Sequence, residues 1–388
     1  MRFSSIENRF AQHSFLEGLM KKQLLTTTAL VAAGLVAFGT PAMAKVKGSV
    51  NGFVTGIFSV GENDDAFDAA QGGNLNSFVS ATDSEVHFNA STALDNGVKI
   101  KARVELEGET QADQIDETWM RISGSFGEFR FGEADKPVDT MVLGSAGHGA
   151  SVGMNHRFHT GAIFTTPGTV SITNNTSSDI SGDAGGIQYY TPRVSGFQLG
   201  VSYTPDNNQD AQPRQNTNAR TSHIKSIAAN YVTAFDGAKI TIAGGYNEGK
   251  NSTVDQDDIE RWGAAVKVST GPVEVRASYH EIEEVSTIST GATATAGQET
   301  VELGANYKMG KNAFSIIMVD AEAVADTGNA ADGDEMTTIM VAYRRTLGPG
   351  VSWSLSALTA DADNGVAGAA SGTSNSGEAI SSRLTVKW

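Results

Sequence analysis

The sequence predicts an all-β chain, a 16-stranded antiparallel transmembrane β-barrel, and three observations carry that reading. Apolar and polar residues alternate with a period of two along most of the chain, as strands with one greasy and one wet face require. The connections between these segments alternate between short and long. Beyond residue 44 no run of 18 apolar residues occurs, so helices are not expected to span a membrane, whereas alternating strands can do so at low average hydropathy.

Residues 1–44 read as an N-terminal extension and a cleaved signal peptide. Met20, the better-placed start, precedes Lys21 and Lys22, an apolar core from Leu24 to Phe38, Pro41, and Ala42-Met43-Ala44. That is the order of a secretory signal with an A-x-A cleavage site. Cleavage leaves 45–388 as a single barrel domain. The whole chain has 28 Lys+Arg against 44 Asp+Glu; residues 1–44 hold four basic and two acidic side chains, so the remainder carries 24 − 42 = −18. Such acidity argues against a nucleic-acid partner. The absence of cysteine excludes a disulfide scaffold or a thiol enzyme.

The strands are expected at 46–60, 84–94, 98–109, 115–124, 127–134, 185–192, 197–204, 223–235, 239–248, 258–269, 273–283, 299–309, 313–322, 335–346, 351–360 and 378–388. Ile100, Ala102, Val104 and Leu106 oppose Lys101, Arg103, Glu105 and Glu107; Val273, Val275, Ala277 and Tyr279 oppose Glu274, Arg276, Ser278 and His280. Short turns at Asp95-Asn96-Gly97, Ser125-Phe126-Gly127, Asp236-Gly237 and Thr270-Gly271-Pro272 hold the residues that tight hairpins need. The longest polar stretch, 135–184, is the third long loop in order. A soluble sandwich would also alternate, but sixteen strands with no linker fit one closed sheet better, and Lys101, Arg103, Arg121, Arg276, Lys308 and Arg383 on the polar face suit a watery interior.

Three segments resemble the Gram-negative general diffusion porins, particularly the alphaproteobacterial type. DETWMRISGSFGEFRFGE (116–133) places Gly124, Phe126, Gly127 and Gly132 in that family's strand-turn-strand pattern. GGIQYYTPRVSGFQLGVSY (185–203) places Tyr189, Pro192, Gly196 and Phe197 in another, and AISSRLTVKW alternates up to a terminal aromatic, Trp388. The resemblance implies short periplasmic turns and long extracellular loops, an outer-membrane location and a homotrimer. It implies passive diffusion of ions and small hydrophilic solutes through a water-filled channel that loop 135–184 narrows by folding inward, and a C-terminal signal, Trp388, for the outer-membrane barrel assembly machinery. By the same resemblance, acids at the start of that loop, Glu133, Asp135 and Asp139, face a basic wall of Lys101, Arg103, Arg121, Arg130 and Arg383. Many relatives carry Arg where this chain has Glu133 and Asp116-Glu117, so cation preference is expected. A substrate-selective porin, which would need an aromatic track on the lumen faces, and a secreted soluble adhesin or lectin are the alternatives.

Acidic clusters at Glu62–Asp65, Asp255–Asp258 and Asp332–Glu335 lie in predicted loops. Oxygen-rich loops can hold Ca2+ weakly; Asp255, Asp257, Asp258, Asp332 and Asp334 are the candidates, and divalent ions there could bridge to outer-membrane lipid and lipopolysaccharide. Seven histidines form no H-E-x-x-H pattern, so no zinc set is expected. No nucleophile elbow or phosphate loop appears, and no enzyme is expected. Trp119, Tyr203, Tyr231, Tyr279, Tyr307, Trp353 and Trp388 are expected near strand ends or on apolar faces.

Overall fold

The computed structural model describes residues 45–73, 75–108, 114–142, 144, 150, 164–170, 172, 174, 176–209, 221–251, 258–283, 297–324, 333–365 and 372–388. Sixteen strands occur: β1 Lys47–Asn63, β2 Phe78–Ala93, β3 Lys99–Glu107, β4 Ile115–Gly124, β5 Gly127–Gly132, β6 Gly186–Tyr190, β7 Phe197–Asp206, β8 Ser222–Phe235, β9 Ala238–Lys250, β10 Ile259–Thr270, β11 Val273–Ile282, β12 Gly297–Met309, β13 Asn312–Val324, β14 Glu335–Gly348, β15 Val351–Asp363 and β16 Asn375–Lys387. Among the described residues two short helices, α1 (Asp65–Ala70) and α2 (Pro137–Met141), interrupt them. Each strand pairs with its neighbours in sequence, and β1 pairs antiparallel with β16, so the sheet is a closed barrel. Among the described residues no helix is long and apolar enough to cross a membrane.

Alternation in the chain becomes two faces of this wall. Along β13, Phe314, Ile316 and Met318 are exposed outward while Ser315, Ile317 and Val319 are buried inward. Val50, Val54, Phe58 and Val60 on β1, and Ile380, Leu384 and Val386 on β16, are likewise exposed outward. A surface of that composition is unfavourable in water and suits lipid. Aromatic pairs sit on it, Trp262–Tyr279 with centroids 5.0 Å apart toward the long-loop rim and Phe314–Tyr343 at 5.1 Å toward the short-turn rim. Positions of this kind form interfacial girdles.

The glycines of the family-like segments have steric reasons. Gly127 has φ +107°, and a Cβ there would lie 2.2 Å from the Tyr190 carbonyl oxygen; Gly132 has φ +100°, and its Cβ would lie 2.2 Å from the Thr118 oxygen. Only glycine fits either place. Tyr189 Oη donates to the Phe126 carbonyl at 2.7 Å, so the two segments touch. A separate small unit contains, among described residues, Lys45 and the turn Ala93–Val98. Leu94 N donates to Val98 O at 2.8 Å and Gly97 N to Leu94 O at 2.9 Å, closing that turn.

Several expected boundaries are corrected. β2 begins at Phe78 rather than 84, because residues 78–83 pair with β1 even though Ser80 and Thr82 dilute the apolar face. Asp65–Ala70 is helical, not loop, with Asp64 as its N-cap accepting from Ala66 N at 2.8 Å. β6 stops at Tyr190 before Thr191-Pro192, since proline has no N–H for the ladder. β16 starts at Asn375, three residues earlier than expected. Residues 1–44 lie outside the described residues.

Candidate functional site

The connection between β5 and β6 is the longest, and its described residues bond to inward-facing side chains around much of the barrel. Thr165 N donates to Asn63 Oδ1 of β1 at 3.1 Å, and Asn375 Nδ2 of β16 donates to Thr165 O at 2.8 Å. Ala150 N donates to Ser315 Oγ of β13 at 2.6 Å. Thr176 Oγ1 donates to Glu302 of β12 at 3.2 Å, and Ser178 Oγ lies 3.0 Å from His280 Nδ1 of β11. Arg261 of β10 and Asn247 of β9 donate to Asp179, to its carbonyl at 2.8 Å and its carboxylate at 3.0 Å. Apolar packing adds to this. Phe164, Val170 and Ile172 join Ile317, Val319, Met336, Met340 and Leu358 in one buried cluster on the inner side of β13–β16.

A buried ammonium holds the neck where this connection leaves and rejoins the barrel. Lys136 is 1% exposed, and its Nζ donates to the carbonyls of Ala134 (2.7 Å), Ala184 (2.8 Å) and Gly182 (3.2 Å). All three of its protons are used. Burial pushes its pKa down, opposed by Asp179 and Asp183. Beyond it Pro137 opens α2, whose buried face of Val138 and Met141 packs with Val142 against Tyr190, Ala228 and Ala265.

The acids at the loop's start diverge in surroundings. Asp139 accepts from Ser177 Oγ; burial and the Asp179 carboxylate raise its pKa to about 7 despite that bond. Asp135 reaches water but is enclosed by the barrel, and that desolvation raises its pKa while Lys136 opposes the shift. Its other charged neighbours include Arg130, so an acid of the loop and a base of the wall do come within electrostatic reach. Glu133 is half-buried, with its N–H bonded to Thr118 O at 2.8 Å. Carboxylate oxygens of Glu117, Asp135 and Asp183 lie within 4.8 Å of one another, as do donor atoms of Glu85, His87 and Glu105, and oxygens of Glu85, Glu107 and Asp116.

On the wall, Lys101, Arg121 and Arg130 stand directly opposite one another across β3, β4 and β5, with Arg103 one inward position along. Like charges so placed repel unless compensated. Arg130 Nε bonds Glu128 at 2.6 Å and Arg103 Nη1 bonds Glu105 at 2.8 Å. Aromatic faces supply the rest: Arg121 and Arg103 lie 4.1 and 5.3 Å from the Trp119 ring centroid, and Arg130 4.4 Å from that of Tyr190. Trp119 therefore faces the interior from the middle of β4, a correction to its expected place near a strand end or on an apolar face, forced by its register opposite Arg103. Arg383 stands apart from this group on β16, only 2% exposed, with Asp83 and Arg344 as charged neighbours.

Of the expected loop cation sites, Asp258 is exposed just before β10, whereas Asp334 is fully buried, its carbonyl accepting from Ala323 N at 2.9 Å. Asp255, Asp257 and Asp332 lie outside the described residues. Trp388 is exposed outward and its backbone exchanges bonds with Gly52 of β1 at 3.1 and 3.2 Å. The sequence reading missed Lys136, Tyr190 and the Glu85–His87–Glu105 group. The last was legible only as acid and histidine two apart on one wet strand face, with no register to bring in the third member.

A family model described as Gram-negative porin matches residues 26–365. Among curated proteins none matches. Solved structures with the same fold include an anion-selective porin from Comamonas acidovorans (15% identity, TM-score 0.59, covering 89% of this chain and 100% of that one). A Salmonella typhi OmpF complex with daunomycin is similar (15%, 0.61, 88% and 98%), as is a trimer form of OmpT, an outer membrane protein of Vibrio cholerae (13%, 0.57, 88% and 99%).

Proposed function

Since the chain belongs to the Gram-negative porin family and is an outer-membrane porin, we propose that it conducts ions and small hydrophilic solutes passively, with a preference for cations. The carrying observation is the charge balance of the interior. Among the described residues of the wall, Arg103, Arg130, Lys267 and Arg276 are each engaged by a carboxylate and Arg383 is buried, while Arg121 lies over the Trp119 ring with Lys101 opposite it. Among the described residues the loop side adds the acids Asp135, Asp139, Asp179 and Asp183, of which Asp139 has its pKa raised to about 7, and Lys136, whose ammonium is spent on carbonyls. A net negative constriction lowers the barrier for cations and raises it for anions. The fold does not dictate this sign, since a structure of the same fold is an anion-selective porin. Reversal potentials across a planar bilayer under a KCl gradient test it: a cation-selective sign is expected, and an anion-selective sign overturns it.

The narrowing element in this reading is the β5–β6 connection, supported by its bonds to β1, β9–β13 and β16. Two rings of the inner wall, Trp119 and Tyr190, have guanidinium groups over them rather than free faces, which favours general diffusion over a substrate track. No cofactor is needed for diffusion down a gradient.

A homotrimer fits the strand lengths. β5 and β6 have six and five residues, while a strand needs roughly 9–11 to cross the bilayer. Backbone left over in that sector would face hydrocarbon with unpaired polar groups unless protein covers it, and a second copy supplies such cover. Outward Trp388, just after the last strand, is the recognition point for barrel assembly in this reading, and exposed loop acids such as Asp258, but not buried Asp334, are the points of contact, through divalent ions, with lipopolysaccharide.

A further inference from the structure

We propose that Glu85, His87 and Glu105 form a binding site for a divalent transition metal of the Zn2+ class on the inner wall of β2 and β3. Glu85 and His87 share the inward face of β2 two positions apart, and Glu105 reaches them from β3. His87 Nε2 lies 2.7 Å from Glu85 Oε2 and 3.4 Å from Glu105 Oε2. Ligand atoms on a tetrahedron with bonds of about 2.0–2.1 Å are about 3.4 Å apart, so the second distance already has the spacing a metal needs. One imidazole with two carboxylates suits Zn2+ and its neighbours, whereas Ca2+ and Mg2+ prefer oxygen alone.

The outer ends of the ligands are held. Arg103 Nη1 binds Glu105 Oε1 at 2.8 Å, leaving Oε2 for the metal. Arg103 Nε can only donate, so it fixes Asn89 Oδ1 toward itself at 2.9 Å. The Asn89 amide nitrogen then donates to Asn51 Oδ1 at 2.5 Å and to the His87 carbonyl at 3.2 Å. Asn51 is left presenting its own amide nitrogen to His87 Nδ1 at 3.3 Å. Without metal, the imidazole proton therefore sits on Nε2, directed at Glu85. Metal takes the place of that proton, which is released to solvent while Nδ1 takes one up, so the ring stays neutral; Asn51 turns its oxygen to accept it and gives up the bond from Asn89, so that the hold on the bound ligands comes from Asn51 on His87 and Arg103 on Glu105. Anchoring of this kind around a ligand is what sets affinity and ring orientation.

Calorimetric titration of the purified detergent-solubilised protein with ZnCl2 tests the site without reference to conduction, so its outcome is separate from that of the channel reading. One saturable site per protomer is expected, not displaced by millimolar Mg2+, and weakened at least about tenfold in His87→Gln and in Glu105→Gln. Absence of saturable binding, or binding unchanged in both variants, overturns the proposal. X-ray absorption on the wild-type zinc complex needs no variant: one imidazole with oxygen ligands is expected, and a shell of oxygen alone overturns it.

Discussion

Lys136 is a charged residue used for geometry. Lys136→Met keeps most of its length but leaves three carbonyls at the loop neck without their donor. Unpaired buried acceptors cost on the order of 1–3 kcal/mol each, partly returned here because the ammonium's own desolvation is relieved. Noisier open-channel current and a lower thermal midpoint are expected in bilayer recording and a melting scan. Asp139 makes the opposite use of burial. Its pKa is raised to about 7 from 3.8, so between those values the folded protein binds more protons than the unfolded chain. Its contribution is therefore favourable at low pH and is lost as pH rises through about 7. Denaturant titrations between pH 4 and 8 will show stability falling with pH through this group, and Asp139→Asn will flatten that slope.

At the scale of elements, the β5–β6 connection is fastened by polar bonds to β1, β9–β13 and β16 and by an apolar clasp on β13–β16. Phe164→Ala removes the largest side chain of the clasp, worth about 3–5 kcal/mol when a buried aromatic is truncated. Because that energy fastens loop to wall rather than strand to strand, larger and more variable single-channel conductance is expected with little change in the heat resistance of the barrel. Strands were legible in the sequence because alternation and turn chemistry are local: Ile115–Gly124 is as expected, and most others agree to within a few residues. The clasp was not. Ile317, Val319, Met340 and Leu358 put apolar side chains on a face that the period-two rule assigns to water, and only Phe164, Val170 and Ile172 arriving from a distant loop explain them. The site was legible as residue types and faces, Arg103, Arg121 and Arg130 among them. Its pairings depend on cross-strand register, which single-chain alternation does not fix.

For the whole molecule, the uneven height of the wall separates a sector that needs protein cover from one that lipid satisfies. Phe131 faces outward on short β5, and Leu303 faces outward on β12, which has thirteen residues. Phe131→Arg is expected to lower the temperature at which the oligomer dissociates in gel electrophoresis, while Leu303→Arg leaves it in place. Equal effects of the two would remove the argument for a copy-to-copy contact at β5.

The pairing of β1 with β16 joins residues over three hundred positions apart, Thr55 to Thr385 and Ser59 to Ser381 among them. Contacts so remote in sequence form slowly, since a loop of nearly the entire polypeptide must be closed to make them. Until that zipper shuts, both margins of the sheet are bare templates for another chain. Ring closure is thus the committing event of biogenesis, and the escort that delivers the chain must shield two raw edges until it happens.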